Sequence, residues 1–431
     1  MGSKNASSLQ RNLQSQAVSL DVNWVRAQFP SLKHIVNGHP AAFLDAPAGT
    51  QVPQCVIDAV REYFETSNAN TCGAFVTSRR TDAMIAGARA AMADFFNCEP
   101  DEVFFGPNMT TITFALARGI GRDLRPGDEI VVTTLDHDAN VAPWRALEER
   151  GVVIRQVDIR HDDCTLDMAD LRRKITERTK LVAIGYASNA VGTINPVEEI
   201  VQLAHGAGAL VFIDAVHYAP HGMIDVRALD CDFLACSPYK FFGPHMGCIY
   251  GKRELLLRFR PYKVRPAPET LPDRWETGTQ IHEGLAGVSA AIDYIASLGC
   301  RCDPSATSRR AAIVSAYRAM RDYEMALAMK MIRGLLEIPG LRFYGISDPA
   351  RFAERVPTVG VRLAKGKPLD AAKFLGDRGI FTWDGNYYAL NLTERLGVEK
   401  DGGLLRIGLV HYNTVEEVER LLRALREFAE S

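Results

Sequence analysis

Seven short apolar runs recur between residues 102 and 251, and they constrain the fold more than any other feature. They are EVFFG (102–106), DEIVVTTL (128–135), GVVIRQVDI (151–159), KLVAIGYAS (180–188), ALVFIDA (209–215), DFLACS (232–237) and GCIYG (247–251). Most are continuous apolar strings rather than alternating ones, the pattern of strands buried on both faces of a largely parallel sheet. Between them, VEEIVQLAHGAG and AMIAGARAAMADFF place apolar residues at helical spacing, as crossover helices do, and HGAG supplies a glycine stop. The pattern predicts an α/β fold: a doubly wound, mostly parallel seven-stranded sheet covered by helices. From about 255 to 275 it breaks into a loop rich in Pro and charge. A helical stretch over 307–337 follows, then TVGVRL, GIFTW and LLRIGLV, then a last amphipathic helix, TVEEVERLLRALREF. The expected division is a disordered tail over 1–20, a large domain over 21–295 and a smaller α+β domain over 296–431. The segment 21–40 packs with either domain.

Composition narrows the partners. Lys plus Arg is 50 and Asp plus Glu is 52, a net charge of -2 in 431 residues, so nothing pulls the chain toward nucleic acid or an anionic membrane. No apolar stretch approaches the ~18 residues that span a bilayer. The first twenty residues lack the basic start and apolar core of a secretory signal, and Ala6 breaks the myristoylation pattern. Nine cysteines, several in apolar runs, read as reduced, buried thiols of a cytoplasmic protein. Cys300 and Cys302 have no second pair at zinc-site spacing, so no metal is expected. A small molecule is left as the partner.

The chemistry concentrates in two segments. The run LVFIDAVHYAPH (210–221 without its leading Ala) ends a buried strand in Asp214, at the carboxyl edge where doubly wound sheets bind ligands. Lys240 follows in CSPYKFFGPHMGCIYG, flanked by aromatics and buried strands. A lysine in such company is paired, snorkels to the surface or is used covalently. After EVFFG, the segment PNMTTITFALARG opens a helix near Asn108, and free N–H groups at a helix start bind phosphate. An anion cradle, a carboxylate and a desolvated lysine on one sheet suit pyridoxal 5'-phosphate, with Lys as its Schiff-base residue and Asp on its ring nitrogen.

From FLDAPAGTQVP (43–53) to YNTVEEVERLL (412–422) the chain resembles the class V aminotransferase family of fold-type I pyridoxal-phosphate enzymes, and within it the cysteine desulfurase-like branch. The resemblance rests on DHDANVAPW, ASNAVGTINPV, IDAVHYAPH, SPYKFFGP, ETGTQ and RIGLVHYNT, in that order. It implies that Lys240 carries the cofactor, that Asp214 pairs with its ring nitrogen and that His137 stacks on its ring. It implies that Asn189 and His217 lie near the phenolic oxygen, where relatives often have Gln for His217. Asn108, Met109, Thr110 and Ser237 are expected at the phosphate. Gly278 and Thr279 are expected to reach the phosphate of a partner subunit, making the active unit a homodimer. Arg406 is expected on the substrate α-carboxylate.

Departures from the family pattern bear on the reaction. In GIFTWDGNYYALNL, Tyr388 stands where cysteine desulfurases carry their nucleophilic Cys, and no Cys follows Cys302. A phenol with a reference pKa of ~10 is a poor sulfur acceptor. Trp383 stands where the family has a second carboxylate-binding Arg. In NTCGAFVTSRR, Cys72 and Gly73 replace a His and an Arg, for which Arg79 or Arg80 could compensate. Trp383 and Tyr388 are therefore expected at the substrate, in an aromatic cluster with Tyr387, and Tyr387 or Tyr388 is a candidate acid for a leaving group. The expected activity starts with capture of an amino acid or amine by the cofactor and Cα deprotonation by Lys240. The expected outcome is β-elimination, a C–S lyase without persulfide chemistry. Transamination and epimerisation are alternatives within the family, and a catalytically inactive scaffold is an alternative outside it.

Overall fold

The structure, a computed structural model, describes residues 20–430. The expected tail falls outside the described residues except for Leu20, which is buried in the main core. The seven apolar runs become the seven strands of one sheet: β1 Val103–Gly106, β2 Glu129–Thr133, β3 Val153–Val157, β4 Thr179–Gly185, β5 Leu210–Asp214, β6 Phe233–Cys236 and β7 Gly247–Gly251. Their order is β1-β7-β6-β5-β4-β2-β3, and only β7 runs antiparallel to its neighbours.

The missing polar alternation now has its cause. Val182, Ile184, Val211 and Ile213 enter one apolar cluster, while Leu181, Ala183 and Phe212 enter another on the opposite face. Both faces are dry, so the middle positions of a central strand are apolar on both sides. Helix α1 (Val22–Gln28) is capped by Asp21, whose carboxylate accepts from the Trp24 N–H at 3.0 Å. Helices α2 (Val76–Phe96) and α4 (Val197–Gly206) bury Ala88, Met92, Phe95, Ile200 and Val201 against the first face. Between them in sequence, α3 (Met109–Gly121) buries Ile112, Leu116 and Ile120 against the second. Helices on both faces are what doubly wound means.

After α5 (His282–Cys302), helix α6 (Arg309–Leu336) runs past the sheet into a second layer. Its first half sends Ala312, Ile313, Ala316 and Met320 into the main core, and its second half sends Leu327, Met331, Ile332 and Leu335 into a separate one. That second core lies against an antiparallel sheet of β8 Leu341–Tyr344, β9 Thr358–Leu363, β10 Trp383–Gly385 and β11 Leu404–Gly408, in the order β8-β9-β11-β10, and is closed by α7 (Val415–Glu430).

Two segments depart from the sequence reading. The run GIFTW splits: Ile380–Phe381 pairs in parallel with Ala42–Phe43, and Trp383–Gly385 joins the second sheet. The reason is that an N-terminal strand, too short to announce itself, takes Ile380–Phe381 as its pairing partner. The loop over 255–275 begins inside a helix, Arg253–Arg258, because Leu255 and Leu256 pack under the sheet with Phe259 and Trp275. Arg26 of α1 donates to the Tyr412 carbonyl at 2.6 Å and pairs with Glu417 at 2.9 Å, tying the N-terminal segment to the base of α7.

One glycine holds the two sheets in register. Gly192 has φ +81°, its carbonyl accepts from the Val356 N–H at 2.8 Å, and a Cβ there would lie 2.2 Å from the Thr358 carbonyl oxygen. Gly192→Ala combines a left-handed penalty of about 1–2 kcal/mol with a backbone clash. We expect a loss of about 2–4 kcal/mol in urea unfolding of the holoenzyme; a midpoint equal to wild type would contradict this packing.

Candidate active site

A cavity of about 1000 Å³ opens at the carboxyl ends of the parallel strands, where they meet the second sheet. Its floor comes from strand ends because each buried strand releases its polar residue only where the apolar layers stop. Asp214 is the last residue of β5, and Ser237 follows β6 directly. Lys240 follows three residues later, in a single turn, Pro238–Lys240, that reverses the chain toward β7. Asn108 caps α3, its side-chain oxygen accepting from the Thr111 N–H at 2.8 Å, which leaves the N–H groups of Met109 and Thr110 at the cavity edge.

Twelve of the expected residues line this one cavity: Asn108, Met109, Thr110, His137, Asn189, Asp214, His217, Ser237, Lys240, Trp383, Tyr388 and Arg406. Gly278 and Thr279 do not; both are exposed, and a Cβ on Gly278 would touch nothing. Arg79 and Arg80 do not compensate for the missing cation, since each donates to a carbonyl near its own loop, Ala74 at 2.9 Å and Thr66 at 3.0 Å.

The electrostatics are those of buried groups held short of full pairing. Asp214 and Lys240 form no ion pair among the described residues, so the plain salt bridge is not what the fold builds. Asp214 accepts from the Val216 N–H at 2.9 Å, and burial pushes its carboxyl up to about 6. Lys240 donates to the Pro47 carbonyl and lies 4.9 Å from the Tyr239 ring centre. Burial, with the charge of Arg406 acting in the same sense, pulls its ammonium down to about 7. Burial also keeps His137 neutral, down to about 3, and lowers His217. His137 accepts from the Ala139 N–H at 3.0 Å and stacks on Tyr388, 5.4 Å between ring centres.

Three polar atoms in the wall have no partner among the described residues: Asn189 Oδ1, His217 Nδ1 and Arg406 Nε. His217 is held from its other side by Thr358 Oγ1 at 3.0 Å, and Asn189 Nδ2 donates to the Tyr387 carbonyl at 2.9 Å. Buried polar atoms left open in a cavity call for a polar ligand. Together with a primary amine, a strand-end carboxylate and open helix N–H groups, they fit a phosphorylated, phenolic pyridine aldehyde. Such a cavity is that of a fold-type I pyridoxal-phosphate enzyme.

The comparisons carry this to the family. Residues 42–421 match the model of the class-V aminotransferases. The chain is 34% identical over 421 residues to a cysteine desulfurase of Dickeya dadantii, covering 94% of this chain and 96% of that one. It is 33% identical to a cysteine desulfurase of Serratia proteamaculans, covering 95% and 98%. Among solved structures, the apo cysteine desulfurase of Thermococcus onnurineus superposes with a TM-score of 0.84 at 27% identity, covering 95% of this chain and 98% of that one. The cysteine desulfurase CsdA of Escherichia coli, solved as its S-sulfonic acid, gives 0.80 at 26% identity over the same shares. The chain belongs to the class-V aminotransferase family, whose enzymes use pyridoxal phosphate.

Sequence reasoning passed over four residues of this site. Asp136 lines the cavity, bonds Thr133 Oγ1 at 2.5 Å and Asn140 Nδ2 at 3.2 Å, and is pushed up to about 7 by burial. Asp45 is half-buried, with its inaccessible Oδ1 unpartnered near the charges of Arg406 and Lys240. Tyr239 and Phe114 line the wall. Asp136 and Asp45 lie inside the motifs LDHDAN and FLDAPAG, so a carboxylate in an otherwise apolar run was the available signal. Of the two tyrosines proposed as acids, Tyr387 has its hydroxyl engaged with the backbone, its one proton shared between the Leu404 carbonyl and that of Trp383 at 3.2 Å. Burial moreover pushes its phenol up.

Proposed function

We propose that this enzyme is a C–S lyase that cleaves S-substituted cysteines by β-elimination, without a persulfide on the protein. The observation that carries the reading is the cavity wall: Tyr388 occupies the loop between β10 and the next helix, and none of the nine cysteines lines the cavity. The relatives are named cysteine desulfurases. The resemblance puts Tyr388 where they carry the sulfur acceptor, and a phenol does not take up sulfur.

Pyridoxal phosphate, when bound, supplies an aldehyde that captures the substrate amine and a cationic ring that withdraws electrons from Cα. Lys240 would hold the aldehyde and, once released, take the Cα proton; burial lowers its ammonium toward neutrality, which favours the proton-accepting form. Asp214 holds a proton at the ring nitrogen. Met109, Thr110 and Ser237 would hold the phosphate, and Asn189 and His217 would meet the phenolic oxygen. Arg406 makes no ion pair among the described residues and keeps Nε unpartnered, so a substrate carboxylate is the anion that completes it. Tyr388, 72% exposed at the mouth, would protonate the departing thiolate, a role its position in the cavity lining supports. The net reaction consumes one water and yields a thiol, pyruvate and ammonium. Gly278 and Thr279, turned outward, fit a role at the cavity of a second copy, which makes the working unit a homodimer. No described helix is long and apolar enough to cross a membrane.

The test is a panel of S-alkyl cysteines with the holoenzyme. Thiol, pyruvate and ammonia in equal amounts are expected. Formation of alanine with protein-bound sulfane sulfur from cysteine would overturn the reading, as would a keto acid made with no thiol.

A further inference from the structure

The loop that carries Tyr388 is bent at two successive non-glycine residues in the left-handed region, Tyr387 at φ 55° and Tyr388 at φ 60°. Such a pair costs free energy and persists only where its surroundings hold it. Here they do. Asn386 Oδ1 accepts from the Tyr388 N–H at 3.0 Å, the Tyr388 carbonyl accepts from the Asp138 N–H at 2.7 Å, and Asn386 is itself tied to Glu399 at 2.9 Å. The bend sends the two rings to opposite fates. Tyr388 stays at the mouth, and Tyr387 turns inward beneath the guanidinium of Arg406, 4.1 Å from the ring centre.

That contact closes a three-residue ring. Arg406 Nη1 donates to the Asn189 carbonyl at 3.0 Å, Asn189 Nδ2 donates to the Tyr387 carbonyl at 2.9 Å, and the Tyr387 ring faces Arg406. The Tyr387 hydroxyl fixes the ring by its bonds to the carbonyls of Leu404, on the strand of Arg406 itself, and of Trp383, on the strand beside it. One face and one edge of the guanidinium are thus spoken for. The Nε edge remains open, and the position opposite Arg406 in the strand register holds Trp383 rather than a second cation.

We propose that Tyr387 is the positioning residue for α-carboxylate recognition: its ring stabilises and aims a lone Arg406 by cation–π contact. The inference rests on the reading of Arg406 as the carboxylate site. A desolvated cation–π contact changes an equilibrium by roughly 2- to 30-fold. The ring, rather than the hydroxyl, carries the effect.

The experiment titrates holoenzyme with L-norvaline and with n-butylamine, its decarboxylated counterpart, following the cofactor's visible absorbance. Tyr387→Leu is expected to weaken norvaline about 10-fold and leave butylamine unchanged, which also shows that the site is folded. Tyr387→Phe, which keeps the ring, is expected to stay within about 3-fold of wild type for both. Arg406→Gln is expected to weaken norvaline alone, and by more. If Tyr387→Leu weakens both ligands equally, or neither, while Arg406→Gln acts on norvaline alone, the role of Tyr387 is overturned and that of Arg406 stands. If Arg406→Gln does not separate the two ligands, the carboxylate reading falls and the inference falls with it.

Discussion

Lys240→Ala should abolish turnover, with kcat down by at least about 10³-fold, while the protein keeps its fold and still binds pyridoxal phosphate. The side chain is 8% exposed, and its amine is the only one in the cavity wall. Removing it removes both the anchor for the aldehyde and the base for the Cα proton, and general-base contributions alone are worth ~10²–10⁴-fold. Borohydride should fix the cofactor to Lys240 in the wild type, located by mass spectrometry, and leave Lys240→Ala unmodified. A mutant with more than a tenth of wild-type kcat would remove Lys240 from the mechanism. The same residue sets a pH dependence. Its amine is drawn down to about 7, so the neutral, proton-accepting form gains as pH rises through that value. kcat should climb between about pH 6 and 8 and then level off; a flat profile there would mean another group is the base.

Asp214→Asn should be the second large loss, about 10²–10³-fold in kcat, the range for deleting one preorganised electrostatic partner in a dry site. An amide cannot hold a proton at a ring nitrogen as a carboxylate does, so the ring loses its pull on the Cα electrons. The free protein has a reason to keep this acid despite its cost. Burial outweighs the Val216 N–H and the charge of Lys240, which act the other way, and leaves the carboxyl raised to about 6. A cation arriving beside it relieves that burden, so cofactor binding and Asp214 ionisation support each other. Asp214→Asn should therefore bind pyridoxal phosphate more weakly, read as loss of visible absorbance on dialysis. Wild-type retention with wild-type kcat would break the assignment.

Both effects concern residues named before the structure, and the reason is local. A strand buried on both faces must be apolar along its length, so an acid at its end and a lysine among aromatics stand out in the linear chain. The seven strands were legible for the same reason. The motif order around Lys240 and Asp214 pointed to the cofactor as well.

What linear order could not supply was the second side of the cavity. Tyr387, Trp383 and Arg406 lie on two strands and a loop of the second sheet, and Asn189 lies between strands of the first. Their roles come from contacts across some two hundred residues of chain, such as Asn189 with Tyr387 and His217 with Thr358. Tyr387 and Tyr388 are adjacent and alike in sequence, yet one is locked under a guanidinium and the other faces solvent. The alternation of polarity and spacing along a chain records which residues are buried. It does not record which buried residue meets which, because that depends on how two separately folded layers come to rest against each other.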